Sequence, residues 1–127
     1  MKWNEAQERA IFTRDKNILV SAAAGSGKTA VLTERIRQMV VRESVSVDEM
    51  LIVTFTNAAA AELRERIHKG ILEAMEEDST DAAALQEQLD LLPEADICTF
   101  HAFCLKVIRL YFFLTDVTPD FRICDEA

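Results

Sequence analysis

Ile18-Leu19-Val20-Ser21-Ala22-Ala23-Ala24-Gly25-Ser26-Gly27-Lys28-Thr29 is the stretch on which the reading of this chain turns. A short aliphatic run passes into small residues, two glycines and a Lys-Thr pair. Ala30, Val31, Ile36, Met39 and Val40 then recur at helical spacing to about Glu43. The first part reads as a buried strand and the last as a helix. Between them, residues without bulk let consecutive backbone N–H groups curl around a phosphate, and the helix N-terminus adds the positive end of its dipole. Residues 22–29 therefore form a candidate phosphate loop in the strand–loop–helix context such a loop requires. Lys28 is expected to reach the outer phosphates of a nucleoside triphosphate, and the Thr29 hydroxyl to coordinate Mg2+. Ala22 stands where the strict pattern has glycine, a sterically modest change. The competing reading is a glycine-rich turn with an exposed lysine.

Outward from the loop, Asn4 can cap a helix with Gln7 at the capping-box position, and Ala6, Ala10 and Ile11 supply its apolar face up to about Arg14. Leu51-Ile52-Val53-Thr54-Phe55 reads as a second buried strand. A long helix is expected from Ala58, with Ala59, Leu63, Ile67 and Ile71 at four-residue spacing. Leu85, Leu89 and Leu92 mark a shorter helix closed by Pro93. Ile97 to Phe100 is a third strand candidate, and Phe103, Val107, Leu110 and Leu114 line a last helix. Strands alternating with helices imply parallel pairing through crossovers, hence an α/β fold with a parallel sheet covered by helices on both faces.

At 127 residues and 50% hydrophobic, the chain can bury one core. Lys and Arg number 14 against 22 Asp and Glu, a net charge of −8 that taken alone speaks against a nucleic-acid binder. Nine of the acidic residues fall within residues 73–96, which contain no Lys or Arg; the rest of the chain is left with 13 acidic and 14 basic residues. That segment reads as a solvated acidic helical excursion, and the remainder as balanced. No apolar run is long enough to cross a bilayer. Met1-Lys2-Trp3-Asn4-Glu5 does not read as a signal peptide. Cys98, Cys104 and Cys124 cannot all pair internally and form no Cys-x-x-Cys, which points to a reducing cytoplasm.

A phosphate loop alone leaves kinases, GTPases, transport ATPases and motors open. Asn57-Ala58-Ala59-Ala60 does not supply the guanine-specifying Asn-Lys-x-Asp. Four stretches narrow the choice: Trp3-Asn4-Glu5-Ala6-Gln7, the loop with Val20 and Ser21 before it, Val53-Thr54-Phe55-Thr56-Asn57-Ala58-Ala59-Ala60-Ala61-Glu62-Leu63, and Thr99-Phe100-His101-Ala102-Phe103-Cys104. In this order they resemble the first motifs of UvrD/Rep-like superfamily-one DNA helicases, and most closely the AddA branch, the ATP-dependent helicase/nucleases of the AddAB type. Ala30, directly after Lys28-Thr29, fits that branch. The resemblance runs from Trp3 to the C-terminus.

It implies a RecA-like P-loop NTPase sheet, with residues 1–127 as the N-terminal part of an incomplete first motor lobe. It also implies ATP and Mg2+ as cofactors, single- and double-stranded DNA as substrates, 3'-to-5' translocation, and a role in double-strand-break repair. A second helicase-nuclease subunit of the AddB type would be the partner, in the cytoplasm and without a membrane. Residue by residue, Gln7 would read the adenine edge, since a carboxamide can donate and accept as adenine N6 and N7 require. Phe55, Thr56 and Asn57 would touch single-stranded DNA, the ring as a stacking platform and the polar groups on phosphates. Thr99 and His101 would belong to the next DNA motif. Against these stand structural readings: Gln7 only closing its capping box, Phe55 as the last core residue of its strand, and His101 capping the following helix.

Two further patterns are read as inactive. Cys98-x2-His101-x2-Cys104 has zinc-like spacing but straddles a strand-to-helix junction and lacks an obvious fourth ligand. Asp125-Glu126 resembles the acidic pair of motor ATPases, yet Arg122 interrupts the apolar run expected before it. Hydrolysis also needs a water-positioning carboxylate and an arginine finger, which the resemblance implies lie further along a longer protein. These 127 residues alone should thus turn over little ATP. The competing functions are a self-contained nucleotide or metabolite kinase and a non-catalytic nucleotide-binding module.

Overall fold

The computed structural model describes residues 2–77, 81–118 and 120–123. Among these residues five helices and two strands follow one another: α1 (Glu5–Phe12), α2 (Lys28–Arg42), β1 (Leu51–Thr54), α3 (Asn57–Glu77), α4 (Ala82–Leu91), β2 (Asp96–Thr99) and α5 (Phe100–Leu110). Short 3-10 turns occupy Val47–Glu49 and Phe112–Leu114.

Local chemistry starts these helices. Asn4 and Gln7 close a full capping box on α1, with bonds of 2.9 and 3.0 Å. Thr56 Oγ1 accepts the Ala59 N–H at the start of α3, and Thr99 Oγ1 accepts the Ala102 N–H at the start of α5. β1 and β2 pair in parallel, in register from Leu51 with Asp96 to Thr54 with Thr99. The α3–α4 segment is the crossover between them, as parallel pairing demands.

The main core gathers Ile36 and Val40 of α2, Leu63, Ile67, Ile71 and Ala74 of α3, Leu85 of α4, and Leu92, Ala95 and Ile97. A smaller cluster joins Ala10 and Ile11 of α1 to Val31 of α2, with Trp3 against it. On α3 it is Ala60, not Ala59, that is buried; the apolar stripe is displaced by one residue from a strict four-residue repeat, as a 3.6-residue period requires.

Several sequence expectations are corrected. Residues 18–20 form no strand: the sheet among the described residues is two-stranded, and Leu19 is 94% exposed. A strand needs neighbours to take its backbone N–H and C=O groups. β1 and β2 pair with each other, while clefts of about 410 and 430 Å3 open beside residues 18–20. The sheet is also less covered than expected. Ile97 and Ile52 face the main core and Lys106 pairs with Asp96 to bring α5 alongside β2, but Leu51 stays half exposed.

The acidic segment is not a solvated excursion either. Glu73, Glu76, Glu77, Asp81, Glu87, Asp90 and Glu94 are exposed, but Leu85 and Leu92 are core residues, with Leu89 and Leu91 packed against the core. Gln88 Oε1 accepts the Val47 N–H at 2.8 Å, tying α4 to the turn that leads into β1. At the other end, β2 stops at Thr99, so Phe100 opens α5, and α5 ends at Leu110 rather than at Leu114. Asp125 and Glu126 lie outside the described residues.

Candidate functional site

The phosphate-loop residues stand between α1 and α2. Gly25 and Gly27 have φ of +76° and +84°, in the left-handed region where a Cβ is penalised. The Ser26 N–H donates to the Ala23 carbonyl at 3.3 Å, closing the turn. Gly27 is the N-cap of α2, and it offers no side chain to that helix's first N–H groups; the first turn contains no acidic residue either. The N-terminal donors and dipole of α2 are thus left for an anion. Lys28 Nζ donates to the Ala22 and Ala23 carbonyls at 2.6 and 2.8 Å, which turns the ammonium back over the loop. Thr29 is exposed beside it.

Gln7 serves both the cap and the loop. Its Oε1 accepts the Asn4 N–H, while its Nε2 donates to the Ser26 carbonyl at 3.5 Å. A cleft of about 180 Å3 is lined by Asn4, Gln7, Ala22, Ser26 and Lys28 with Val31 at its base. The position of α1 is secured by Arg35 of α2, whose guanidinium donates to the Ala10 and Thr13 carbonyls at 2.7 Å each. Arg14 adds a bond of 2.6 Å to the Ile11 carbonyl and pairs with Glu43. Burial, then repulsion from Arg14, lowers the Arg35 pKa, while Glu43 pulls it up. The Arg14 hydrogen bond, helped by the charges of Arg14 and Arg35, holds the Glu43 carboxyl below its ordinary value against a smaller desolvation effect.

The second group of candidate residues sits at the carboxyl ends of the two strands. Phe55 follows β1 directly and is 90% exposed, so it is not the last core residue of its strand. Thr56 uses its hydroxyl to cap α3, and Asn57, the first residue of that helix, is exposed. Thr99 is buried and its hydroxyl caps α5, which leaves the exposed His101 free of the capping role. Phe100 does not stand out in the sequence, yet its ring lies 5.9 Å from that of Phe55 at 47°. The signal is present as a phenylalanine just past the end of each strand, but adjacency needs the register.

Among the described residues, no hydrogen bond, ion pair or aromatic contact joins the loop group to the strand-end group. Nor do three His, Cys, Asp or Glu side chains gather there as a metal cluster, and no helix is long and apolar enough to cross a membrane.

A glycine loop opening a helix, in a chain whose parallel strands end in polar and aromatic residues, defines a class, and comparison with known proteins agrees. The chain belongs to the UvrD/REP helicase N-terminal domain family, whose model matches residues 3–127. It is similar to the A subunit of the ATP-dependent helicase/nuclease of Clostridium perfringens (strain ATCC 13124), with 56% identity over 99% of this chain. It is 52% identical over 97% of its length to the protein of the same name from Alkaliphilus metalliredigens (strain QYMF). The corresponding protein of Clostridium botulinum (strain Hall) shares 50% over 99%. The chain spans 10% of the length of each of these relatives.

Proposed function

We propose that this chain is the nucleotide-binding N-terminal part, residues 1–127, of the first motor domain of an ATP-dependent DNA helicase. On this reading its fold is the beginning of a RecA-like P-loop NTPase, and the parent protein is one component of a helicase-nuclease complex. That protein moves 3'-to-5' on single-stranded DNA in double-strand-break repair, in the cytoplasm, beside a second component of the AddB type. The observation that carries the reading is the pair of left-handed glycines opening α2 with Lys28 turned over the loop. Membership of the family and the similarity to helicase/nuclease subunits support it from a separate direction.

The residues fit ATP and Mg2+. The loop backbone and uncapped α2 N-terminus suit phosphate oxygens, and the exposed Thr29 hydroxyl suits a hard cation. Lys28 would exchange its carbonyl partners Ala22 and Ala23 for phosphate oxygens, a change from neutral to charged acceptors that strengthens its hydrogen bonds. Gln7 would meet the adenine edge through Nε2 while Oε1 keeps α1 capped. Mg2+, when bound, supplies charge neutralisation at the outer phosphates. At the strand ends, Phe55 offers a ring to a base, and the exposed Asn57 and His101 offer polar groups to the backbone, while Thr56 and Thr99 set the starts of the helices that carry them.

The test is binding of a fluorescent ATP analogue with Mg2+, followed by ATP hydrolysis with and without single-stranded DNA. The chain is expected to bind saturably and to turn over little. The longer protein is expected to hydrolyse ATP faster with DNA, and Lys28→Ala to abolish that turnover and unwinding. Binding unchanged by Lys28→Ala would remove the loop assignment. Phosphate transfer to a small molecule, indifferent to DNA, would favour the kinase reading.

A further inference from the structure

We propose that Phe100 is a positioning residue for base stacking on Phe55, so that the two rings act as one unit across the ends of β1 and β2. The inference rests on the reading of Phe55 as a single-strand contact and goes beyond it by giving Phe100 a role.

The two phenylalanines meet because of the sheet register. Thr54 and Thr99 are partners, and the next residue along each strand is a phenylalanine. Adjacent parallel strands lie about 4.8 Å apart, so the side chains leaving them at the same level are neighbours. The ring centroids are 5.9 Å apart and the planes inclined by 47°, within the range of favourable aromatic pairs.

Exposure separates their roles. Phe55 is 90% exposed, and a lone ring so placed must give up rotamer freedom when a base stacks on it. Phe100 is 50% exposed and anchored: it opens α5 immediately after Thr99, which is buried and bonded to the Ala102 N–H. The anchored ring restricts the free one in advance. A base cannot be sandwiched between the two, because they touch and are tilted; the outer face of Phe55 is left as the platform. The loss of ordering freedom is thereby taken on folding rather than on DNA binding.

A double-mutant cycle in the full-length protein, read by fluorescence anisotropy of a labelled oligo-dT without nucleotide, tests this. Phe55→Ala is expected to weaken binding about five- to a hundred-fold, the range of one lost base–aromatic stack. Phe100→Ala is expected to weaken it about two- to ten-fold, the cost of ordering one side chain on binding. In the Phe55→Ala background, Phe100→Ala should have no further effect. The slope of affinity with salt should stay as in the parent, since no phosphate contact is lost. Phe100→Tyr should restore affinity, and Phe100→Leu, which keeps apolar volume without the ring, should not.

An equal loss from Phe100→Ala with and without Phe55 would overturn the proposal while leaving Phe55 as a DNA contact. So would no loss, or a loss matched by a fall in melting temperature that Phe100→Leu abolishes. If Phe55→Ala itself leaves affinity unchanged, the DNA reading of Phe55 fails and the proposal with it.

Discussion

Arg14 and Glu43, 29 positions apart in the chain, meet in a two-pronged ion pair: Nε to Oε2 at 2.8 Å and the terminal nitrogen to Oε1 at 2.6 Å. The pair ties the residue after the C-cap of α1 to the C-cap of α2. The pair braces α1 and α2 on either side of the glycine loop, although neither charged residue bonds to the loop itself.

This pair sets an acid sensitivity. Arg14 holds the Glu43 carboxyl below its ordinary value of 4.5. A carboxylate whose folded pKa is depressed contributes stability above its unfolded pKa, and the contribution is lost as pH falls through the lowered folded value. The Glu43 side chain is 39% exposed, so solvent screening limits the pair to about 0.2–1 kcal/mol. Glu43→Gln should therefore be less stable than the parent at pH 7, with the difference closing below the ordinary carboxylate range. Urea denaturation of both proteins at pH 7 and pH 3 measures it.

Gly27→Ala should damage the loop more than its stability. The added Cβ must adopt φ near +84° and would sit 3.5 Å from Gln7 Nε2. The left-handed backbone costs roughly 1–2 kcal/mol for a residue with a side chain. Relaxing that strain displaces both the Gln7 amide and the α2 N-terminus. The expected outcome is a modest fall in melting temperature with a loss of ATP-analogue binding of at least ten-fold, read by titration at fixed Mg2+.

Arg35→Ala should weaken nucleotide binding without touching nucleotide. Its guanidinium holds the Ala10 and Thr13 carbonyls at the end of the helix that carries Gln7. Hydrogen bonds to a charged group contribute about 1.5–3 kcal/mol each on average, and part-exposure puts this site at the lower end. Arg35→Lys, with no planar fork, should recover only part of the loss. Circular dichroism combined with ATP-analogue titration of the three proteins would show whether affinity follows the docking of α1.

Leu92→Ala should cost about 2–5 kcal/mol, the range for emptying a buried leucine site, because Leu92 is a core residue beside Ile97 and Leu85. Gln88→Leu should cost about 1–3 kcal/mol by leaving the Val47 N–H without its acceptor. If residues 73–96 contributed only solvated surface, both changes would be nearly silent in thermal melts.

Much of the fold was legible because it is locally encoded. The Asn4–Gln7 capping box, the glycine loop and the periodic leucines and isoleucines of α3 carry their meaning within a few residues. What failed depends on distant partners. Ile18, Leu19 and Val20 have strand-like side chains, but side chains do not supply the neighbouring strand a ladder needs. Nine acidic residues dominate the composition of residues 73–96, yet Leu85 and Leu92 of the same segment reach the core. In the candidate site, Lys28, Thr29 and Phe55 stood out by motif. Phe100 became visible only once Thr54 was aligned with Thr99, and Arg35 only once α1 lay against α2.

The helix that starts at Lys28 has one further mechanical property. α2 contributes Val31 to the cluster under α1 and Ile36 and Val40 to the main core, and Arg37 reaches Glu77 at the far end of α3. Over the 15 residues of α2 there is no loop in which a displacement could dissipate. A push on the amino end of this rod is delivered to the seam with Ile67 and Ile71, and α3, itself unbroken, begins two residues after Phe55. Two stiff levers in series therefore run from the residue that would hold phosphate to the ring that would hold a base.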